Sequence, residues 1–274
     1  MNIIKNCRHG TIIFNPNDEW IGKSLLHYGE FSEFEVKVFE KAVRKGFVVL
    51  DIGANIGTHT VVFSRLVGST GAVISFEPQK PIYYMLCGNV AINSLVNVDC
   101  VNAAAGKSPG SIKVPKIDYS QPGSFGSLSL LPKYPANAVM EVVRLFSVDE
   151  LNLSKCDFIK IDIEGMELEA ISGAVKTIEK YQPILCVEND RKDRSAALIA
   201  KLHELQYRVF DWKPPLYNPS NYLQNQIDLL CLEIDGEKPG YKTPVSSFNL
   251  FCFHKDKEPP VDLDWFLMKE ISQE

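Results

Sequence analysis

The feature that most constrains this chain is an apolar run that passes directly into a glycine-punctuated turn. Residues 48–57 read Val-Val-Leu-Asp-Ile-Gly-Ala-Asn-Ile-Gly, so a buried strand ends near Asp51 and the backbone turns between Gly53 and Gly57. Glycine adopts positive φ without strain and lets the backbone approach a ligand closely, and Asn55 is among the few other residue types that tolerate positive φ. The pattern predicts a cofactor-binding loop between a strand and a helix.

Helix and strand patterns alternate on both sides of this turn. Ser32 and Gly46 are expected to begin and end a first helix. Alternation of this kind predicts an α/β fold with parallel strands and a ligand outside their carboxyl ends. The predicted helices cover residues 32–46, 58–67, 81–93, 166–181 and 195–205, and the predicted strands cover 48–51, 72–76, 98–101, 157–163, 183–188, 207–212, 229–233 and 248–254.

Three of the predicted strands end on acidic residues. Asp51 ends the first, Glu77 follows the second, and Asp162 and Glu164 end a later one. Asp51 would repel the pyrophosphate of a dinucleotide, whereas S-adenosylmethionine carries a sulfonium and an ammonium and no phosphate. A carboxylate such as Glu77 accepts hydrogen bonds from ribose hydroxyls in either type of cofactor. Charge therefore favours S-adenosylmethionine over NAD.

These segments also resemble a known family. Residues 49–60, 76–78 and 101–104, and above all Ile-Lys-Ile-Asp-Ile-Glu-Gly-Met-Glu at 159–167, are similar to the FkbM family of S-adenosylmethionine-dependent methyltransferases. The resemblance spans roughly residues 28–254. It implies a Rossmann-like class I methyltransferase fold, with a seven-stranded, mostly parallel sheet whose last strand is reversed and helices on both faces. It also implies O-methylation of a hydroxyl on a sugar, a glycan, or a glycosylated or polyketide-type natural product.

The resemblance further implies which residues bind the cofactor. They are Asp51, Gly53, Asn55 and Gly57 at the methionine end, Glu77 and Pro78 at the ribose, and Asn102 and Ala103 at the adenine.

Methyl transfer requires a hydroxyl aligned with the sulfonium and a group that removes its proton. Asp162 and Glu164 are the catalytic candidates; Asp162 is also a candidate ligand for the amino group of the cofactor, and Glu164 a candidate cap of the following helix. Asp162 with Glu188 and Asn189 would provide the oxygen ligands that Mg²⁺ prefers, as in methyltransferases of the catechol type. The alternative is that Glu188 and Asn189 cap a loop or contact the substrate without metal.

Composition limits the remaining possibilities. The 274 residues are 45% hydrophobic and carry a net charge of −5 from 29 basic and 34 acidic residues, so nucleic acid is not an expected partner. Seven cysteines without a Cys-x-x-Cys pair, together with the lack of a long apolar run, predict a cytoplasmic protein without a membrane span. The expected acceptor is a small molecule or a glycan.

We expect three parts of the chain. Residues 1–45 form a lead-in and helix that cover the cofactor site, residues 46–256 form the methyltransferase domain, and residues 257–274 form a peripheral tail. Proline- and glycine-rich segments at 105–141 and 213–226 are predicted to be substrate loops.

Three other functions stay open at this point. One is methylation of a nitrogen or carboxyl group without metal or base, the second is an NAD-type oxidoreductase, and the third is a binding module that holds the cofactor without turnover.

Overall fold

The computed structural model describes residues 1–126, 138–233 and 242–272. Its helices are α1 (Ile21–Tyr28), α2 (Glu33–Ala42), α3 (Thr58–Val67), α4 (Lys80–Ile92), α5 (Glu167–Ser172), α6 (Val175–Tyr181) and α7 (Lys192–Glu204), with short 3₁₀ turns at Gly68–Thr70 and Val148–Leu151. Its strands are β1 (Ile3–Cys7), β2 (Gly10–Phe14), β3 (Val48–Ile52), β4 (Ala72–Phe76), β5 (Val98–Val101), β6 (Ala104–Ala105), β7 (Gly110–Pro115), β8 (Met140–Phe146), β9 (Phe158–Ile161), β10 (Ile184–Glu188), β11 (Tyr207–Trp212), β12 (Cys231–Glu233), β13 (Lys242–Pro244), β14 (Asn249–His254) and β15 (Lys269–Ile271).

The main sheet has the strand order β15-β11-β14-β10-β9-β3-β4-β5. Strands β3, β4, β5, β9 and β10 pair in parallel, whereas β14 runs antiparallel to both β10 and β11. The predicted fold class, a mostly parallel sheet with a reversed late strand, is confirmed. The predicted number of strands is wrong: the described part of the chain contributes eight, because Lys269–Ile271 pairs with the outer edge of β11. The segment expected to be a peripheral tail therefore contributes a strand to the sheet.

The central strands are buried on both faces, as expected for a parallel sheet covered by helices. Val49 and Phe158 pack in one cluster with aromatic side chains of α2 and α3, whereas Leu50 packs on the other face with residues of α5 and α7. Because side chains alternate along a strand, Asp51 and Lys160 lie on the same face as Val49 and Phe158. Two charged groups are thus directed toward α2 and α3.

The first predicted helix is shorter than expected. Helix α2 ends at Ala42, and Val43 has extended dihedral angles of −93° and 135°, so Gly46 lies in the following turn. Ser32 has φ of 49° and makes no side-chain capping bond. The helix predicted over 166–181 is interrupted after Ser172, where Gly173 and Ala174 have non-helical ψ of 2° and 7°. Gly173 packs against the backbone of Gly106, where an added Cβ would lie 2.2 Å from the carbonyl oxygen.

The segment 105–141 is more regular than a loop. Strand β7 pairs with β8 antiparallel and β6 pairs with β8 in parallel, which forms a small sheet beside the main one. Residues 127–137 of this predicted substrate loop lie outside the described residues. The boundaries proposed for the three parts of the chain stay predictions.

Within the described residues, no helix has the length and apolar character needed to cross a membrane.

Glu30 joins the N-terminal hairpin to the second predicted substrate loop. The residue is 4% exposed, and its carboxylate accepts hydrogen bonds from Arg8 Nε (2.6 Å), Asn218 Nδ2 (2.8 Å) and the Tyr222 backbone N–H (2.7 Å). A buried carboxylate with three donors fixes the two segments that supply them, the N-terminal hairpin and the loop at 213–226. The loop at 213–226 is therefore held against the N-terminal residues.

We expect Glu30→Ala to lower the free energy of unfolding by about 2–4 kcal/mol, because it leaves buried donors without an acceptor. Chemical denaturation measures this change. The matched control is Glu40→Ala at an exposed position of α2, where we expect a change within about 0.5 kcal/mol. Equal stability of the two variants would contradict the role assigned to Glu30.

Candidate functional site

A cavity of about 440 Å³ opens at the carboxyl ends of β3, β4, β9 and β10. Residues of the turn after β3, the ends of the neighbouring strands, and the segments 124–126 and 245–249 line it. The cavity lies where an α/β sheet of this topology places its ligand. Of the sequence-predicted residues, Gly53, Asn55, Glu77, Pro78, Asp162, Glu164 and Glu188 reach its wall.

The glycine turn has the predicted backbone geometry. Gly53, Asn55 and Gly57 have φ of 83°, 51° and 87°. At Gly53 the requirement is also steric, because an added Cβ would lie 1.8 Å from the carbonyl oxygen of Asp162. The turn can therefore pack directly on the end of β9 only if residue 53 is glycine.

Glu77 is the anchor of the turn. Its carboxylate is 3% exposed and accepts hydrogen bonds from the backbone N–H groups of Asn55 (3.1 Å, to Oε2) and Gln79 (2.7 Å, to Oε1). Burial raises the pKa of Glu77 to about 8, although these two hydrogen bonds oppose the shift. Each oxygen keeps a lone pair for a further donor, so the group is suited to bind a vicinal diol.

Four predicted cofactor residues do not reach the cavity wall: Asp51, Gly57, Asn102 and Ala103. Asp51 is fully buried, and its Oδ2 accepts a 2.6 Å hydrogen bond from the Thr60 hydroxyl. Asn102 is exposed and donates hydrogen bonds to the carbonyl oxygens of Glu77 and Pro78, so it stabilises the turn that follows β4. Ala103 is part of the hydrophobic core. A direct contact of these residues with cofactor stays a prediction.

Lys160 is the buried cation under the site. Its Nζ donates to Asp162 Oδ2 at 2.8 Å, and the lysine side chain is 6% exposed. Burial opposes its charge, but the carboxylates of Asp162, Asp51 and Glu35 raise the pKa of Lys160 above its usual range. One ammonium thus stabilises three acidic groups in a region of low dielectric.

Two further residues of the wall, Glu35 and His59, were not predicted from the sequence. Glu35 comes from α2 and is 5% exposed; its Oε1 accepts a 2.8 Å hydrogen bond from Asn249 Nδ2. His59, in the first turn of α3, is also 5% exposed, and its Nε2 lies 3.5 Å from Glu35 Oε2. The sequence signals for Glu35 were its charge on the buried face of an amphipathic helix and its place at the start of the family resemblance, which did not assign single residues there.

The acidic residues at the ends of β9 and β10 form a cluster. Asp162, Glu164 and Glu188 each present an oxygen within 4.8 Å of the others. Burial raises the pKa of Glu164 to about 8 and that of Glu188 well above its usual value. Glu188 Oε2 is buried and has no hydrogen-bond partner among the described residues.

Two expectations for this region need correction. Glu164 does not cap α5, because its Oε2 pairs with Arg191 at 2.7 Å. No side chain caps α5, whose N-cap residue is Met166; Glu167 Oε1 instead accepts from Gly165 N–H (2.9 Å) and Ile163 N–H (3.3 Å) in the turn before the helix. Asn189 lines a separate small pocket and not the cavity, so Glu164 takes its place in the acidic cluster.

The segment before residue 127 covers one side of the cavity. Gln79 Nε2 donates to the Phe125 carbonyl (2.8 Å), and Tyr119 donates to Gln79 Oε1 (2.7 Å). Phe125 is 2% exposed and packs with Tyr119 at a ring-centroid distance of 5.0 Å. This part of the predicted substrate loop is thus fixed beside Glu77.

Comparison with protein families matches the methyltransferase FkbM domain to residues 51–209, more than half of the chain. The chain belongs to the FkbM methyltransferase family. The resemblance predicted from its sequence motifs is confirmed. Helix α2, with Glu35, lies before the matched region.

Individual relatives are more distant. The hexuronic acid methyltransferase AglP of Haloferax volcanii is 27% identical over 150 residues, which are 50% of this chain and 54% of the relative. The chain therefore spans about half the length of the curated relative it matches.

Among solved structures, the FkbM methyltransferase of Methylobacillus flagellatus has a TM-score of 0.46 at 15% identity, covering 79% of this chain and 50% of that one. A SAM-dependent O-methyltransferase of Thermotoga maritima has a TM-score of 0.46 at 14% identity, covering 83% and 66%.

The raised pKa of Glu77 generates a pH prediction. The folded protein binds the proton of the Glu77 carboxyl group more tightly than the unfolded chain does. The contribution of protonated Glu77 to the free energy of unfolding is therefore complete below the pKa of the unfolded chain and is lost as pH rises through about 8. We expect the free energy of unfolding to fall between about pH 5 and pH 9, and Glu77→Gln to reduce this slope. Denaturation at several pH values measures both. An unchanged slope in Glu77→Gln would contradict the assigned protonation.

Proposed function

We propose that this protein is an S-adenosylmethionine-dependent O-methyltransferase that methylates a hydroxyl of a sugar, a glycan, or a glycosylated or polyketide-type natural product. The observation that carries the proposal is the buried Glu77 carboxylate, held by the Asn55 turn at the wall of the cavity. That arrangement offers a nucleoside ribose two acceptor oxygens beside a backbone turn able to approach it closely.

The charge of the cavity supports this cofactor over a dinucleotide. Among the described residues, its wall contains seven carboxylate side chains, Asp18, Glu35, Glu77, Asp162, Glu164, Glu188 and Asp190, and two cationic ones, Lys160 and Arg191. Both cations are paired with carboxylates. Burial raises the pKa of Glu77, Glu164 and Glu188, and a bound cation would favour their charged forms. Such a wall therefore accepts a sulfonium and an ammonium more readily than a pyrophosphate.

The acceptor class rests on the family and on its relative. The name of the Haloferax protein states that it methylates a hexuronic acid, which supports a sugar acceptor for this chain. Hexuronic acids offer both hydroxyl and carboxyl oxygens, so methylation of a carboxyl group is the alternative. Mild alkali separates the two outcomes, because it hydrolyses a methyl ester and leaves a methyl ether intact.

We assign proton removal to Asp162. Its side chain is 43% exposed toward the cavity, and Lys160 fixes one of its oxygens. A carboxylate positioned in this way contributes as a general base, on the order of 10²–10⁴-fold. Glu164 is held nearby by Arg191 and is a second catalytic candidate.

We expect the purified protein to bind S-adenosylhomocysteine in calorimetry and not to bind NAD, because the cavity wall is acidic. Glu77→Ala is expected to weaken S-adenosylhomocysteine binding roughly 30-fold or more, through loss of the hydrogen bonds to the ribose. Glu150→Ala, at an exposed position, is the control and should bind like the wild type. Binding of NAD, or no binding of S-adenosylhomocysteine by the folded protein, would reject the proposed cofactor.

A Mg²⁺ ion is the second component that we propose. Asp162, Glu164 and Glu188 fit such an ion, because they are hard oxygen donors close to one another and Glu188 Oε2 has no hydrogen-bond partner among the described residues. One oxygen of Asp162 and one of Glu164 are already engaged by Lys160 and Arg191, respectively. A bound ion would lower the pKa of a coordinated acceptor hydroxyl.

We therefore expect a chelator to lower methyl transfer and added Mg²⁺ to restore it. Glu188→Gln is expected to raise the Mg²⁺ concentration needed for half-maximal activity by about 10-fold or more, through loss of a charged ligand. The measurement is product formation, followed by mass spectrometry, against Mg²⁺ concentration. Full activity in the presence of chelator would leave Asp162 as a base that acts without metal.

A further inference from the structure

Glu35 and His59 form a polar pair where α2 and α3 meet the cavity. Glu35 Oε2 and His59 Nε2 are 3.5 Å apart, beyond the usual hydrogen-bond distance, and Nε2 has no hydrogen-bond partner among the described residues. Both side chains are 6% exposed, and both line the cavity. Two atoms so placed can accept hydrogen bonds from one shared donor.

The protonation of His59 fits acceptance. Burial raises the pKa of Glu35, the ammonium of Lys160 opposes that shift, and a cation bound beside Glu35 would favour its carboxylate form. Burial, with the positive charge of Lys160 and a smaller contribution from His9, holds the pKa of His59 well below its usual value. The imidazole is therefore neutral, and in the tautomer protonated on Nδ1 its Nε2 presents a lone pair. The rings of Phe39 and Phe63, at centroid distances of 5.3 Å and 6.4 Å, hold it in position.

The local charge favours a cationic donor. Glu35, Asp51 and Asp162 interact with one buried ammonium, that of Lys160. Three carboxylates against one ammonium leave an excess of negative charge in a region shielded from water. A ligand that brings a second ammonium would restore the balance.

Asp51, the strand-end acid expected at the methionine end, cannot easily take this role. Its carboxylate is fully buried, bonded to Thr60 and absent from the cavity wall. Glu35 is on the wall, and Asn249 fixes its Oε1 so that Oε2 faces His59. Asp162, the more exposed acid of the wall, is assigned to proton removal, so the acid left to bind an ammonium beside His59 is Glu35 from α2.

We propose that Glu35 and His59 bind the α-ammonium group of the methionine moiety of S-adenosylmethionine. This inference rests on the proposed function and adds to it a binding pair whose acidic member lies before the matched family region, at residues 51–209. The ammonium donates hydrogen bonds to Glu35 Oε2 and His59 Nε2, and no covalent bond is made or broken.

The test compares two ligands on three proteins by calorimetry. The ligands are S-adenosylhomocysteine and its analogue that lacks only the α-amino group. The proteins are the wild type, Glu35→Gln and the control Glu33→Gln. Glu33 is on the same helix and is also buried, but it pairs with His9 at 2.7 Å and does not line the cavity.

For the wild type, we expect the deaminated analogue to bind roughly 10- to 100-fold more weakly than S-adenosylhomocysteine, the range for hydrogen bonds to a charged group. In Glu35→Gln, we expect the affinity for S-adenosylhomocysteine to fall by a similar factor and the affinity for the analogue to change little. The two affinities should therefore converge. Glu33→Gln should keep the wild-type difference.

Other outcomes are distinguishable. An equal loss of affinity for both ligands in Glu35→Gln would show that Glu35 has only a structural role, and it would overturn the inference. Unchanged affinity for S-adenosylhomocysteine in this variant would overturn it as well. Failure of the folded wild type to bind either ligand would instead reject the proposed function. If Glu35→Gln does not fold, as judged by thermal melting, His59→Phe, which keeps an aromatic ring beside Phe39, provides the same comparison.

Discussion

The ammonium of Lys160 is the charge on which the site depends. It lies inside the protein beneath the cavity, where Asp162 accepts its hydrogen bond and Asp51 and Glu35 contribute to its field. Isolated carboxylates at this depth would be protonated or would destabilise the fold, because removing a charge from water costs several kcal/mol or more. Removal of Lys160 would therefore affect three acids from three different elements at once.

The close approach of β3 and β9 brings these groups together. Gly53 packs on the carbonyl oxygen of Asp162, so the turn after β3 and the end of β9 share one wall of the cavity. Glu77 then fixes the same turn from the opposite strand through Asn55. The position of the turn is determined by both neighbours of β3, and this explains why glycine is needed for packing as well as for its dihedral angle.

The sequence predicted the elements of the site better than the orientation of its side chains. The turn at 53–57, the acid after β4 and the acids after β9 follow from strand ends and glycine positions, which are local signals. Asp51 was predicted to lie at the methionine end from its charge at a strand end and from the family resemblance; alternation along β3 directs it to the α2–α3 face, as it does Lys160 on β9, and its contact with the cofactor stays a prediction. Glu164, and not Asn189, lies beside Asp162 and Glu188 for a similar reason. The direction of a side chain after a strand depends on the turn that follows the strand.

Other elements depended on contacts that are distant in sequence. The β1–β2 hairpin has a weak pattern of its own. Its strand β2 is stabilised by Asn89 of α4 and by Asn93, the residue that follows α4, which bond the backbone N–H and C=O groups of Ile13 and Thr11. Strand β15 pairs with the edge of β11, a partner more than fifty residues earlier in the chain. A free strand edge and side-chain hydrogen-bond partners of this kind exist only in the folded protein, so local sequence patterns do not predict these pairings.

The acidic character of the cavity has a consequence for turnover. Under the proposed reaction, methyl transfer removes the positive charge of the sulfonium, while the carboxylates around the cavity keep their positions. The wall is therefore more complementary to the substrate form of the cofactor than to its product, a difference that acts through Coulomb interactions in a partly buried site. The ammonium proposed to bind Glu35 is present in both forms, so it holds the cofactor without distinguishing them. Recognition and product release are thus assigned to different charges of the same molecule: the ammonium holds the cofactor, and loss of the sulfonium charge favours its departure after transfer.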